Sequence, residues 1–346
     1  MKQKLIIICG GQSSEHIVSR MSCTSVLKNL NKNKYEIALV GIDLDGTWYI
    51  LKQNQEDLAA ADWLEGSKVI DDIYNLLKRY DVAFPVLHGL YGEDGTIQGL
   101  FELAKIPYVG CRVLGSSVAM DKVYTKKIMD TAGIPQVKSV YVKQRHDKKL
   151  VIMDQHFNEI DEVEEYIMEK IGMPCFIKAS RSGSSVGCYR CDKRDELMEK
   201  LLKAAKYDTH IVVEECIDCV ELETAVLGND DVIVSRVGQI MPHGEFYTFE
   251  SKYEDKESKT CIPALVDEKF QEEIRELAIK IFKALDGHGL SRVDFFLDKK
   301  RKKVFFNEIN TMPGFTNISM YPKLMEDFGI SYSELLDRLI SLALEK

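Results

Sequence analysis

Arg292-Val-Asp294-Phe-Phe296 and Phe306-Asn-Glu308-Ile-Asn310, joined by Asp298-Lys-Lys-Arg-Lys-Lys303, decide how the rest of the chain is read. Both segments alternate apolar and polar residues with the period of a strand, and the charged run between them is a turn. With the turn centred on Arg301 and no bulge, Asp294 faces Glu308 and Arg292 faces Asn310 on one side of the ribbon. Opposed side chains there lie about 5 Å apart at Cβ, and like charges repel. A divalent cation turns that repulsion into coordination. Two carboxylates and one amide form an all-oxygen set suited to Mg2+, particularly Mg2+ also held by a nucleotide phosphate. The flanking Phe, Val and Ile residues argue for burial rather than a solvated charged face. Thr311-Met-Pro-Gly314 follows at once, a tight turn whose Gly314 N–H, with Arg292, is suited to an oxyanion.

Upstream, Ser182-Gly-Ser-Ser-Val-Gly187 lies between two short strands, Pro174 to Lys178 and Gly187 to Arg190. It lacks the GxxxxGK[ST] pattern and the strand-to-helix setting of a dinucleotide fingerprint. A Gly/Ser loop still folds its backbone N–H groups over phosphates, and Lys178 and Lys122 are the candidate phosphate cations. Nearer the N-terminus, Leu5-Ile-Ile-Ile-Cys9 ends in Gly10-Gly11, Tyr35 to Ile42 reads as a second strand, and Val82 to Leu87 as a third, ending at His88. Strands alternating with helices predict a parallel sheet with ligands at its carboxyl ends. A helix is expected from Met120 to Ala132, another over Asp267 to Leu285, and a last over Tyr332 to Leu344.

At 346 residues the chain exceeds the usual size of one core. The pattern divides it into 1–115, 116–212 and 213–346. A 45% hydrophobic, 29% charged composition excludes collagen-like and disordered classes, and a net charge of −9 argues against a general nucleic-acid binder. No apolar run is long enough for a bilayer, and Leu5 to Cys9 is too short for a signal-peptide core. The nine cysteines read as reduced cytosolic thiols. Cys188-Tyr-Arg-Cys191 and Cys216-Ile-Asp-Cys219 make a CxxC…CxxC set, but positions i and i+3 of a strand point to opposite faces, so buried thiols are expected rather than zinc.

Together these residues resemble a known family. Gly10-Gly-Gln-Ser-Ser-Glu-His16 with Val18-Ser19, and His88-Gly-Leu-Tyr-Gly-Glu-Asp-Gly-Thr-Ile-Gln-Gly99, are similar to the two N-terminal signatures of D-alanine–D-alanine ligases. Met120-Asp-Lys122, Gly183-Ser-Ser-Val-Gly187, Glu250-Ser-Lys-Tyr253, Arg292-Val-Asp294 and Asn307-Glu-Ile-Asn-Thr-Met-Pro-Gly314 follow in order, so the resemblance covers essentially the whole chain.

The resemblance implies an α/β chain of ATP-grasp fold, α+β in its ATP-binding part, behind an N-terminal Rossmann-like parallel-sheet domain. It also implies ATP, two Mg2+ (or Mn2+), a cytoplasmic homodimer, and ligation of two D-alanines for peptidoglycan. Lys122, Lys178 and Ser185 are the implied phosphate contacts. Glu214, Glu215, Cys216 and Ile217 correspond to the adenine strand, Glu221 to the ribose-binding acid, and Asp294, Glu308 and Asn310 to the metal ligands. Glu15 corresponds to the acid that receives the first ammonium, oriented by Ser184 and Tyr253. His88 falls near the first carboxylate, Lys252 and Ser319 hold the second substrate, and Arg292 with Gly314 serves the oxyanion. Cys219 departs from the pattern, standing where the family usually has glycine. Ile318-Ser319-Met320 and the Lys252-Tyr253 pair fit addition of D-alanine, and a D-alanine–D-serine ligase of the vancomycin-resistance type is the alternative. A nucleotide-binding protein without catalysis is disfavoured by the presence of Glu15, Arg292, Asp294, Glu308 and Asn310 together.

Overall fold

A computed structural model describes residues 2–52, 57–241 and 259–345. Lys252 and Tyr253 therefore lie outside the described residues. The apolar run at the N-terminus becomes β1 (Gln3–Gly10), flanked in parallel by β2 (Tyr35–Ile42) and β5 (Val82–Pro85), with β3 (Trp48–Ile50) and β4 (Lys68–Val69) extending the edge antiparallel. A run apolar at every position fits a strand covered on both faces. Leu5, Ile7 and Cys9 pack towards α1 (His16–Asn29), whereas Ile6 and Ile8 pack towards α2 (Ile73–Leu77) and α3 (Thr96–Ala104).

The central sheet has the order β10-β9-β11-β6-β7-β8 and is antiparallel throughout. Its strands are β6 (Ser139–Gln144), β7 (Leu150–Met153), β8 (Glu159–Ile160), β9 (Cys175–Ala179), β10 (Cys188–Cys191) and β11 (His210–Glu215). One face packs on α6 (Val163–Lys170) and α7 (Leu197–Ala204), while Tyr141 and Val212 on the other meet Val123 of α5 (Lys122–Thr131). The helix expected from Met120 to Ala132 is in fact two. After α4 (Val113–Met120), Asp121 turns extended and caps α5 by accepting from the Val123 and Tyr124 N–H groups.

The third sheet, β15-β14-β12-β16-β17 with β13 on β12, is also antiparallel. It consists of β12 (Cys219–Gly228), β13 (Val232–Val234), β14 (Gly238–Met241), β15 (Lys259–Cys261), β16 (Gly289–Asp298) and β17 (Lys303–Asn310). Behind it α8 (Glu268–Ala284) buries Phe270, Ile274, Ala278, Ile281 and Phe282 at helical spacing. After α9 (Met320–Asp327), α10 (Tyr332–Leu344) returns to the first sheet, where Leu335, Leu336, Leu339 and Ile340 join the core around Leu5 and Ile7. The Tyr35 hydroxyl and Lys34 both bind Asp337. The last segment thus contributes to the first core as well as its own. The boundaries read near 115 and 212 fall inside α4 and β11; the chain leaves the central sheet between Glu215 and Cys219.

The hairpin β16–β17 pairs Asp294 with Glu308 and Arg292 with Asn310, as expected, but by a different route. Next to the turn Asp298 pairs with Lys303 and Phe295 with Phe306, one residue out of the expected register, and a β-bulge at Asn307 restores the pairing at the acids.

Candidate active site

One cleft gathers residues from all three sheets: Glu15, His88 and Glu93 from the first, Lys122, Ser182 and Ser184 from the centre, and Arg292, Glu308, Asn310, Gly314 and Ser319 from the third. Glu15 stands at the head of α1 and is almost fully buried. Its carboxylate is enclosed by glycines: a Cβ on Gly89 would lie 2.6 Å, and one on Gly183 2.9 Å, from Oε2. The Ser184 hydroxyl donates to Glu15 Oε1 at 2.6 Å, so the glycine loop reaches across to the first sheet. Ser184 and Ser185 both adopt left-handed backbone, φ 50° and 61°, which non-glycine residues seldom do and which marks a loop held by its contacts.

Below that loop, Lys122 Nζ donates to the Ser182 carbonyl at 2.9 Å and lies 3.4 Å from Glu308. Lys178 on β9 lies 2.6 Å from Glu214, whose other oxygen is 2.6 Å from Lys126. Burial alone would raise the Glu214 carboxyl, but Lys126 and then Lys178 pull it down to about 2. Burial opposes charge on Lys178 too, and Glu214 outweighs it and raises its pKa. Lys178 also meets Asn307 at 3.3 Å. Glu215, expected beside Glu214, turns the other way and pairs with Arg301 at 2.9 and 2.6 Å. Cys216 and Ile217 lie on the crossing, partly exposed, and Glu221 sits on β12 opposite Phe296.

The acid face of the third sheet is crowded. Arg292 donates to both oxygens of Asp294 at 2.8 and 2.7 Å and lies 3.0 Å from Glu223. Burial would lower the guanidinium pKa, but Asp294 and Glu223 outweigh it and keep Arg292 protonated. The Asn310 amide donates to Asp294 at 3.1 Å. Each carboxylate here is thus already sought by a protein cation or amide, the demand a divalent ion also meets, and the donors are the hard oxygens such an ion takes.

His88 is buried with both ring nitrogens engaged, Nδ1 with the Met312 carbonyl and Nε2 with the Ser22 hydroxyl, each at 2.9 Å. Burial lowers its pKa although Glu15 works the other way. Glu93, not singled out by sequence, accepts from the Gly89 N–H at 2.8 Å and the Met312 N–H at 3.0 Å. Burial, and next the Glu15 carboxylate, push it up to about 8. Lys126, Glu223 and Ser22 were missed as well. The helical spacing of Lys122 and Lys126 was the available signal for the first, and the alternation Glu221, Glu223 for the second. Gly314 packs so closely on Ser319 that a Cβ would come 2.7 Å from its hydroxyl.

Cys191 is fully buried beside Cys175, while Cys188, at the other end of β10, faces Lys178. All nine cysteines are free thiols, and among the described residues no group of three or more His, Cys, Asp or Glu side chains is assembled as a metal cage.

Fold and cleft define the class: an ATP-dependent ligase of ATP-grasp architecture. The chain belongs to the D-alanine–D-alanine ligase family, residues 4–111 matching its "D-ala D-ala ligase N-terminus" and residues 128–341 its "D-ala D-ala ligase C-terminus". It is 46% identical to the D-alanine–D-alanine ligase of Acetivibrio thermocellus, over 100% of this chain and 96% of that one. With D-alanine–D-alanine ligase B of Clostridium tetani the identity is 46%, over 99% and 94%. Among solved structures, the VanG D-Ala:D-Ser ligase from Enterococcus faecalis superposes with a TM-score of 0.87 at 37% identity, covering 99% of this chain and 100% of that one. The D-alanine–D-alanine ligase of Coxiella burnetii gives 0.85 at 34%, covering 99% and 94%.

Proposed function

We propose that this chain joins two D-alanines into D-alanyl-D-alanine at the expense of ATP, supplying the dipeptide for peptidoglycan precursors. The observation that carries the reading is the meeting of Glu15 and Ser184 above Arg292, Glu308 and Lys122 in one cleft. Glu15 receives the ammonium of the first D-alanine, held in place by Ser184 and by Tyr253 from the segment outside the described residues, and His88 borders that substrate's carboxylate. This carboxylate attacks the γ-phosphate, ADP leaves, and an acyl phosphate forms. Lys122, Lys178 and Ser185 carry the phosphates, while Glu214, Glu215, Cys216 and Ile217 bound the adenine and Glu221 the ribose. Because the Glu215 side chain is turned to Arg301, only its backbone serves the base.

Asp294, Glu308 and Asn310 would hold two Mg2+, or Mn2+, and these ions would offset charge on the transferring phosphoryl group. Ser319 and Lys252 hold the second D-alanine, whose amine attacks the acyl carbonyl. Arg292 and the Gly314 N–H stabilise the tetrahedral oxyanion, inorganic phosphate leaves with the proton that the amine gives up, and the peptide bond remains. Closure of the glycine loop onto Glu15 keeps water from the acyl phosphate. The enzyme works in the cytoplasm as a homodimer, and no helix among the described residues is long and apolar enough to cross a membrane.

Phosphate release from ATP and Mg2+ tests this, with products identified by mass. Turnover with D-alanine alone, giving the dipeptide, is the expected result. Turnover that appears mainly when D-serine is added moves the specificity to D-alanyl-D-serine. ATP binding without turnover on any pair overturns the catalytic reading.

A further inference from the structure

The turn that carries Gly314 is held at three backbone atoms, all by side chains from the N-terminal part of the chain. Glu93 Oε2 accepts from the Met312 N–H at 3.0 Å, His88 Nδ1 lies 2.9 Å from the Met312 carbonyl, and Ser22 Oγ accepts from the Phe315 N–H at 3.1 Å. His88 Nε2 and Ser22 Oγ close the circuit at 2.9 Å. All three side chains are buried, Ser22 completely.

The hydrogen-bond pattern leaves one consistent assignment of protons. A carbonyl only accepts, so His88 Nδ1 carries the hydrogen; in a neutral imidazole Nε2 then accepts. The Ser22 hydroxyl therefore donates to Nε2 and uses its lone pair for the Phe315 N–H. Every group is satisfied, and Gly314 lies between the residues that are held. In this circuit both ring nitrogens of His88 are spent on the protein.

We propose that Glu93, Ser22 and His88 act together as positioning residues that fix the Met312–Phe315 turn, and with it the Gly314 N–H, for the tetrahedral step. The proposal rests on the oxyanion reading of Arg292 and Gly314. Its logic is geometric, since donors to an oxyanion work by being already in place and small displacements weaken them sharply. It also joins two events: the loop that borders the first substrate is the same loop that holds the oxyanion donor.

The test uses the full-length enzyme with Ser22→Ala and Glu93→Gln. The Gln replacement keeps the volume and one accepting oxygen but turns an NH2 group towards one of the two N–H donors. The probe is a phosphinate dipeptide analogue, whose tetrahedral phosphorus places an oxygen where the oxyanion develops. Its inhibition constant in the presence of ATP is compared with the KM values for ATP and D-alanine, and each variant is melted to check that it is folded. The expected result is a phosphinate constant raised about tenfold or more with the KM values changed less than about threefold. Parallel rises in all three, or an unchanged phosphinate constant, overturn the proposal. If Ser22→Ala fails to fold, Glu93→Gln carries the test. Arg292→Lys separates the two layers: a weaker phosphinate with Arg292→Lys but not with the other variants leaves the oxyanion site standing and removes the positioning circuit. An unchanged constant with Arg292→Lys removes the oxyanion reading and the proposal with it.

Discussion

The first and third sheets supply the cleft in opposite ways. The first is parallel at its centre and offers site residues only from the loops beyond its strand ends: Glu15 after β1, His88 and Glu93 after β5. From Leu5 to Cys9 on β1 and along β5 its residues are apolar and buried on both faces. The third is antiparallel and offers a strand face, so Glu223, Arg292, Asp294, Glu308 and Asn310 stand on the same ribbons that build its core. A strand face fixes its side chains through the ladder, whereas a loop must be fixed by whatever it touches. That is why Glu15 and His88 make their contacts with partners far away in sequence, Ser184, Ser22 and Met312.

If the strand face holds the chemistry, its loss is the most severe. Arg292→Ala is expected to lower kcat by about 100- to 1,000-fold, the cost of one oxyanion donor, with ATP binding retained in a direct titration. Retained turnover would break the contrast at its centre. The same ribbon is also core: Phe306, fully buried and edge-on to Phe295, is expected to cost about 3–5 kcal/mol of unfolding free energy as Phe306→Ala, read by denaturant titration. On the loop side the losses should be smaller and fall on binding. Ser184→Ala removes the hydroxyl that orients Glu15 and should raise the KM for D-alanine about tenfold, roughly the weight of one charge-assisted hydrogen bond, while the KM for ATP moves little.

The last effect is one of pH. Glu214 is held near 2 by Lys126 and Lys178, below its ordinary value of 4.5. Its contribution to stability is complete above about 4.5 and is lost as pH falls towards about 2. Glu214→Gln should be less stable near neutrality and should flatten that part of the acid-unfolding curve; an unchanged slope would show that the two lysines do not hold it.

The same contrast explains what was legible beforehand. Asp294, Glu308, Arg292 and Asn310 declared themselves because a strand repeats every two residues, so the shared face follows from spacing. The bulge did not, because the residue that shifts the register carries no mark distinguishing it from its neighbours. Among loops, the roles of Glu15, His88 and Ser184 follow from resemblance, since spacing alone leaves each as an ordinary polar residue, whereas the Gly314 N–H is suggested by the tight turn that follows the hairpin. Glu93 and Ser22 escaped because each holds a backbone N–H more than 200 residues away, and a backbone N–H has no letter in a sequence. The break between α4 and α5 was missed for a local reason: Met120 to Ala132 is helical in pattern on both sides of Asp121, and only the capping bonds show the new start.

The bulge at Asn307 has a consequence for how much chemistry a short stretch can hold. An ordinary strand sends every second side chain to the far side. Here two successive residues reach lysines of the central part, Asn307 to Lys178 on β9 and Glu308 to Lys122 at the head of α5. With Asn310 at the next outward position, four residues deliver three polar groups to one wall. Removing Asn307 would leave Phe306 against Phe295 and Glu308 against Asp294, so the ribbon would close over the gap with its pairing intact. The chain would keep this pairing and lose its contact with Lys178.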